Sequence, residues 1–254
     1  MAVSALLRLI HGRVWPAVYR ATHVNQQAFI CPLCQYRGPF EAISGIVEVR
    51  KHARCPRCRS LERHRLMAMI LAPLLEGMDT SRQRLLHFAP ERQLGAMLRS
   101  RFGRYESADL HMPGVDHQVD LRALPFPDAS FDMVIAAHVL EHIREDHMAV
   151  GQIRRILRPG GVAILPVPII APATVEYPEP NPAEGGHVRA PGIDYYERLK
   201  SSFARVELLG SEDVDPTSQP YIYENRSRWP DKQCPHRPAM AGYRHVDVVP
   251  VCWA

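Results

Sequence analysis

The chain has 254 residues, 46% hydrophobic and 23% charged, with a formal net charge of +4. That length and composition suit a soluble globular protein with one full α/β domain plus a small module, and they exclude a disordered or fibrous chain. The absence of any run of about 18 apolar residues argues against a membrane-spanning helix, and a cytoplasmic location is expected. The positive charge is almost all arginine: Lys51, Lys200 and Lys232 are the only lysines.

The first segment, residues 1–24, reads as a basic amphipathic helix. Arg8, Arg13 and Arg20 interrupt its apolar residues, which makes it a poor signal peptide. Leu6, Leu9, Ile10 and Val14 share one face, suited to packing on the rest of the protein or to lying on a membrane surface.

Residues 25–75 are predicted to form a small metal-binding module and a connecting helix. Two knuckles, Cys31-Pro32-Leu33-Cys34 and Cys55-Pro56-Arg57-Cys58, have the spacing with which two tight turns aim four thiolates at one point. Disulfides are the alternative, and a reducing compartment disfavours them. Four thiolates leave no open coordination position, so a zinc ion there is expected to be structural. Cys234 and Cys252 have no such partners and read as plain thiols. Arg50, Lys51, Arg54, Arg57, Arg59, Arg63 and Arg65 make the adjoining stretch strongly basic. It could dock nucleic acid, bind an acidic small substrate, or be a solvated face with ion pairs to its neighbours.

From residue 76 to 215 strands alternate with helices, which predicts a doubly wound parallel sheet. The strands are expected at 85–89, 103–110, 133–137 and from 162 onward, with a sixth at 204–210. A helix is expected from Glu91 to Phe102 and another with Met148, Ile153, Ile156 and Leu157 inward, stopped by Arg158-Pro159-Gly160-Gly161. The turn after the first of these strands, Ala89-Pro90-Glu91, contains no glycine. Asp109 ends the next strand about 20 residues on, where dinucleotide-type folds place an acid for ribose hydroxyls. Residues 216–254 form a variable Pro- and Arg-rich segment with a probable last strand at 245–253.

"DLRALPFPDASFDMVIAAHVLEHI" followed by "ILRPGGVAIL" resembles, in sequence order, the motifs of class I S-adenosylmethionine-dependent methyltransferases. More narrowly, "CPRCRSLERHR", "LLHFAPE", "SADL", "HVLEHI" and "HVRAPGIDYYERL" resemble a bacterial subgroup carrying an N-terminal pair of cysteine knuckles. The resemblance covers roughly residues 25–210. It implies a seven-stranded Rossmann-like sheet beside the zinc-ribbon module, and S-adenosylmethionine as cofactor.

The same resemblance implies roles. His87, Phe88, Ala89, Pro90 and Glu91 stand where the family carries its glycine-rich cofactor loop, with Ala89 and Glu91 in the glycine positions. Asp109, followed by Leu110, would take the ribose hydroxyls. Asp120 would accept from the adenine amino group, with Leu121 beside it, and His138 would lie near the methionine end. S-adenosylmethionine has no pyrophosphate, so a small Ala89 and a helix-starting Pro90 could suffice. Glu91 would pair with the cofactor's ammonium or sulfonium, or serve only as a first-turn charge on its helix.

A base at the rim would come from His142, His187 or a nearby tyrosine, Tyr195 or Tyr196; each histidine could equally be an ordinary polar residue. Arg189 is placed to clamp an anionic acceptor and Tyr196 to line its pocket, with Gly185-Gly186 as a hinge. Ala137-His138-Val139-Leu140 stands where base-specific amino methyltransferases carry Asn/Asp-Pro-Pro-aromatic, which disfavours that chemistry. The expected activity is methyl transfer to a hydroxyl, amine or carboxylate of a small molecule. The alternatives are an RNA methyltransferase docking through the zinc module, or a non-catalytic binding protein of the same fold.

Overall fold

The computed structural model describes residues 12, 14–45 and 49–254. Leu6, Leu9 and Ile10 of the predicted N-terminal face lie outside the described residues. Helix α1 (residues 14–22) follows, and Val14 and Val18 on it are exposed.

The N-terminal module is built from two copies of one turn. Strands β1 (Phe29–Ile30) and β2 (Arg37–Gly38) flank the first knuckle; β3 (Glu41–Ser44) and β4 (Val49–Arg54) form a hairpin leading to the second. In the first knuckle Gln35 donates its N–H to the Cys31 carbonyl and Cys31 to that of Tyr36. In the second, Arg59 donates to Cys55 and Cys55 to Ser60. Gln35 and Arg59 both take positive φ, 60° and 64°, so each knuckle closes with the same left-handed residue. Phe29, Tyr36 and Phe40 pack around the buried Cys31 and Cys55.

Helix α2 (Glu62–Glu76) leads into the main sheet. Strands β5 (Arg84–Phe88), β6 (Arg104–Asp109), β7 (His117–Gln118), β8 (Phe131–Ala136) and β9 (Leu157–Ile164) are joined through α3 (Arg92–Arg99) and α4 (Asp146–Ile156). The hairpin β10 (Val175–Asn181) and β11 (His187–Ala190) follows, then α5 (Glu197–Lys200) and β12 (Arg205–Gly210). Last come β13 (Ile222–Tyr223), β14 (Arg244–His245) and β15 (Val248–Trp253).

The seven-stranded sheet runs β12-β15-β9-β8-β5-β6-β7, with β15 antiparallel to both its neighbours and the pairs from β9 to β7 parallel. This is the Rossmann-like order with a reversed last strand inserted beside the fifth. Strand alternation sorts the core into two layers. Leu86, Phe88, Val134 and Ala136 face α4 and α5, against Ile153, Ile156, Tyr196 and Leu199. Leu85, Met133 and Ile135 face α2 and α3, against Leu66, Ile70, Leu94 and Leu98. Met148, expected inward on α4, is exposed: the buried set is Ala149, Val150, Ile153 and Ile156, one stripe of the helix.

Arg65 joins the chain's two ends. Its side chain is fully buried over the Phe40 ring and donates to the carbonyls of Ala53, Ser60, Ser218 and Gln219. Strand β13 meanwhile pairs with β4, so residues from the far end of the chain extend the module's sheet to β14-β13-β4-β3. Arg65→Ala leaves buried carbonyls without a donor and is expected to destabilise the protein by on the order of 3–5 kcal/mol. Arg65→Lys should recover only part, because one nitrogen cannot span that fork. Urea unfolding midpoints of the two variants check the order.

Candidate functional site

A doubly wound sheet binds ligands beyond the carboxyl ends of its strands, where the strand order reverses. Here that point lies between β5 and β8. The turn after β5 has an unusual backbone: Ala89 sits at φ 44°, a conformation that glycine adopts without cost and alanine does not. Its N–H still donates to the Ala108 carbonyl, which keeps the turn registered on β6. Pro90 does not begin the helix. Glu91 takes the N-cap position and α3 starts at Arg92, so the proline sets the approach to the cap.

His87 and Phe88 are buried in the strand, His87 completely. The His87 ring is held between the Tyr105 hydroxyl, 3.0 Å from Nδ1, and the Glu91 carboxylate, 3.3 Å from Nε2. Burial works to raise the Glu91 carboxyl, but the hydrogen bond and charge of His87 prevail and hold it below the usual carboxylate range. His64 on α2 adds to this field; its own pKa is pushed down to about 4 by burial and by Arg63. Side chain to backbone, Gln93 Nε2 donates to the Cys58 carbonyl at 2.9 Å, which ties α3 and this turn directly to the second knuckle.

Asp109 ends β6 with one carboxylate oxygen accepting from the N–H groups of His111 and Met112, both at 2.7 Å. Among the described residues its other oxygen accepts no hydrogen bond. Leu110 beside it is exposed. The following loop is pinned by Asp116, which accepts from the Ser107 N–H and hydroxyl. Asp120 is engaged by Arg122, bound side-on at 2.7–3.1 Å, and Arg122 reaches on to Glu145. Leu121 is buried in the core layer.

The edge of β6 carries a charge cluster that sets an acid limit on stability. Glu106, nearly buried, meets Arg84 at 2.8 Å, Arg104 at 2.9 Å and His117 at 2.9 Å. Burial raises its carboxyl pKa, and the bonds from Arg84 and His117 outweigh that, leaving it lowered. A depressed folded pKa contributes stability above the unfolded value of about 4.3, and loses it as pH falls through the folded one. Glu106→Gln should therefore flatten the pH dependence of the urea midpoint below about pH 4.3, with little change in slope near neutrality.

A second cluster lies just past β8. His138, at φ 56°, opens a short turn that brings Glu141 and His142 onto one side. His187, at the start of β11, comes in from the hairpin. His138 Nδ1 lies 3.5 Å from Glu141 Oε1, while His142 Nε2 and His187 Nε2 are each 4.0 Å from it. Glu141 is 1% exposed and His142 is the member most open to solvent. Burial disfavours the Glu141 carboxylate, yet His138, His187 and His142 together keep its pKa below the usual range. Burial pushes His187 down to about 4, so its ring is neutral at pH 7. Gly185 and Gly186 both have positive φ, 67° and 89°, and close the hairpin that presents His187. The sequence placed His138, His142 and His187 at this rim; Glu141, which gathers them, was passed over although it stands inside "HVLEHI".

Arg189 and Tyr196, expected to face the acceptor, have their polar atoms engaged within the protein. Arg189 is 1% exposed and spends its donors on Glu176 and on the Leu140, Ile143 and Arg144 carbonyls. It is a strut between the hairpin and the turn carrying Glu141. Tyr196 is fully buried, its hydroxyl bridging the Val167 and Val248 carbonyls. Tyr195 is buried too, bonded to Asp146. All three are buried with internal hydrogen-bond partners.

The four knuckle cysteines are reduced and converge: Cys31 Sγ to Cys58 Sγ and Cys34 Sγ to Cys55 Sγ are both 3.6 Å. A tetrahedral zinc with bonds of about 2.3 Å places its sulfurs about 3.8 Å apart, so the set fits that ion without rearrangement. The basic stretch beside it is largely consumed internally. Arg65 is buried, Arg50 pairs with Glu62, Arg54 with Glu41, and Arg57 donates to the Cys34 carbonyl. The sequence showed only Glu62 against this charge; Glu41 comes from the facing strand. No described helix is long and apolar enough to cross a membrane.

Residues 96–165, running from α3 through β9, match the family model described as a methyltransferase domain. The seven-stranded order around this match is that of a Rossmann-like methyltransferase sheet. The chain is 31% identical over 118 residues to the ubiquinone/menaquinone biosynthesis C-methyltransferase of Hahella chejuensis, covering 46% of this chain and 40% of that one. It is 32% identical over 121 residues to the 27-O-demethylrifamycin SV methyltransferase of Amycolatopsis mediterranei, covering 46% and 44%. Among solved structures, an S-adenosylmethionine-dependent methyltransferase from Mesorhizobium loti aligns over 74% of this chain and 99% of its own, with 15% identity and a TM-score of 0.47. The chain thus spans less than half the length of these curated relatives.

Proposed function

We propose that the protein transfers a methyl group from S-adenosylmethionine to a small-molecule acceptor, and that Cys31, Cys34, Cys55 and Cys58 hold a structural zinc ion. The observation that carries the reading is the left-handed Ala89 turn where the strand order reverses, tied through its N–H to Ala108 at the end of β6, where Asp109 stands within the matched residues. When bound, S-adenosylmethionine supplies an electrophilic methyl group on a sulfonium. The chain's task is alignment.

Asp109 would offer its second oxygen to the ribose hydroxyls, the first being fixed by the following loop. Leu110 and Leu121 would flank the base, and Asp120 would accept from its amino group in competition with Arg122. The backbone after Phe88 at Ala89-Pro90 would border the methionine portion. Glu91, held by His87, would face its ammonium group, with His138 on the opposite wall. His142 and the neutral His187 would receive the acceptor's proton, steadied by Glu141. Arg50, Arg54 and Arg65 are engaged inside the module, which reduces the charge left for RNA docking and supports a small acceptor.

Calorimetric titration with S-adenosylmethionine tests the reading: micromolar binding in the wild type, weakened in Asp109→Ala, is expected. No heat at millimolar cofactor would leave only the non-catalytic alternative.

A further inference from the structure

Glu141 is a buried carboxylate whose ion-pair partners among the described residues are three histidines and no arginine or lysine. Its Oε2 is buried without a hydrogen-bond partner, as is His187 Nδ1. Removing a carboxylate from water without a compensating charge is costly, and imidazoles are not permanent cations. The donor atoms of Glu141, His142 and His187 all lie within 4.8 Å of one another. One carboxylate and two imidazoles on one side of a centre, with the other side open, is the ligand set of first-row divalent metals that keep exchangeable positions.

We propose that Glu141, His142 and His187 form a second metal site, distinct from the cysteine cluster, that binds a divalent first-row cation and presents its open positions to an oxygen ligand of the acceptor.

A metal about 2.1 Å from each donor sets neighbouring donors about 3.0 Å apart, so each must move inward by roughly 1 Å from a set now 4.0 Å from Glu141 and within 4.8 Å overall. The route for that movement is visible. His187 rides on a hairpin closed by Gly185-Gly186, and His142 is partly exposed on a single turn. His138, 3.5 Å from the same carboxylate, orients it and is available as a fourth donor. Arg189 fixes the turn from behind through the Leu140 and Ile143 carbonyls, which limits how far Glu141 can retreat.

The consequence for substrate class rests on the methyltransferase reading. A cation here favours a hydroxyl acceptor over an amine, because metal binding lowers the hydroxyl pKa. With the cation bound, the His142 and His187 nitrogens that face Glu141 serve as its ligands in place of proton acceptors, and the hydroxyl proton leaves to solvent. The oxygen forms its bond to the methyl carbon as the carbon–sulfur bond breaks, and that bond's electron pair stays on sulfur.

The test uses the full chain with its cysteine cluster loaded with zinc, and Mn2+ as the probe, since thiolates bind it poorly. Loss of the aqueous Mn2+ six-line EPR signal reports binding, and calorimetry on the same preparation reports S-adenosylmethionine. One Mn2+ per chain is expected, weakened at least about tenfold in Glu141→Gln and in His142→Asn, the second being at a partly exposed position that should fold normally. Absence of Mn2+ binding at millimolar concentration, or equal binding by folded wild type and His142→Asn, overturns the site. Cofactor binding without Mn2+ binding would sink this proposal and keep the methyltransferase reading; Mn2+ binding without cofactor would do the reverse.

Discussion

Cys55→Ser is expected to strip zinc from the N-terminal module and, in the same step, to weaken S-adenosylmethionine binding. Structural zinc in small peptides supplies roughly 10–16 kcal/mol of apparent binding energy, all of it folding energy when the apo form has no site. The module's apolar core is small, centred on Phe29, Tyr36 and Phe40 around the cysteines, and cannot replace that contribution. The second effect follows from two contacts. The Cys58 carbonyl receives Gln93 at the start of α3, and the Ser60 carbonyl receives Arg65 on α2. Loss of the second knuckle releases both helices on the side of the sheet that carries His87 and Glu91. Zinc content by mass spectrometry, the melting midpoint, and calorimetric affinity for the cofactor should fall together. A variant that loses zinc with unchanged cofactor affinity would show the module to be independent of the cleft.

Ala89→Trp is expected to abolish cofactor binding while zinc content stays at one per chain. The residue lies half-buried at the switch point, and an indole there would fill the space beside the turn that the proposal gives to the cofactor. The φ of 44° provides the control. Ala89→Gly removes a side chain from a left-handed position and should stabilise the fold by about 1 kcal/mol, with cofactor binding retained. The opposed signs of the two variants separate a filled pocket from a strained backbone. If Ala89→Trp binds S-adenosylmethionine like the wild type, the cofactor lies elsewhere.

Much of this architecture was legible from periodicity and spacing. The strands at β5, β6, β8, β12 and β15 follow from short apolar runs, and the cysteine cluster from two x2 spacings. Three kinds of feature were not. Arg189, Tyr196 and Arg65 look like exposed polar residues on the strength of type alone; only the tertiary fold reveals the carbonyls that bury them. Met148 lies off the stripe of α4 that Ala149, Val150, Ile153 and Ile156 bury. Glu141 was hidden for a different reason: its partner His187 is 46 residues away in the chain and reaches it only through the β10–β11 hairpin. The turn after β5 has no glycine, and the sequence leaves its backbone open. The structure shows the glycine-type backbone kept, with alanine carrying it.

Strand β15 lies between β9 and β12, and β13 supplies a partner to β4. During synthesis, therefore, neither layer of the protein can close when its own segment leaves the ribosome. The cysteine module waits for the Ser218 and Gln219 carbonyls to satisfy Arg65, and β12 has no neighbour in the sheet until residues 248–253 emerge. A nascent chain stopped at residue 215 would contain every residue assigned here to metal, cofactor and base, yet hold an unpaired arginine and an orphaned edge. Completion of the fold around the site thereby waits for residues 218–253.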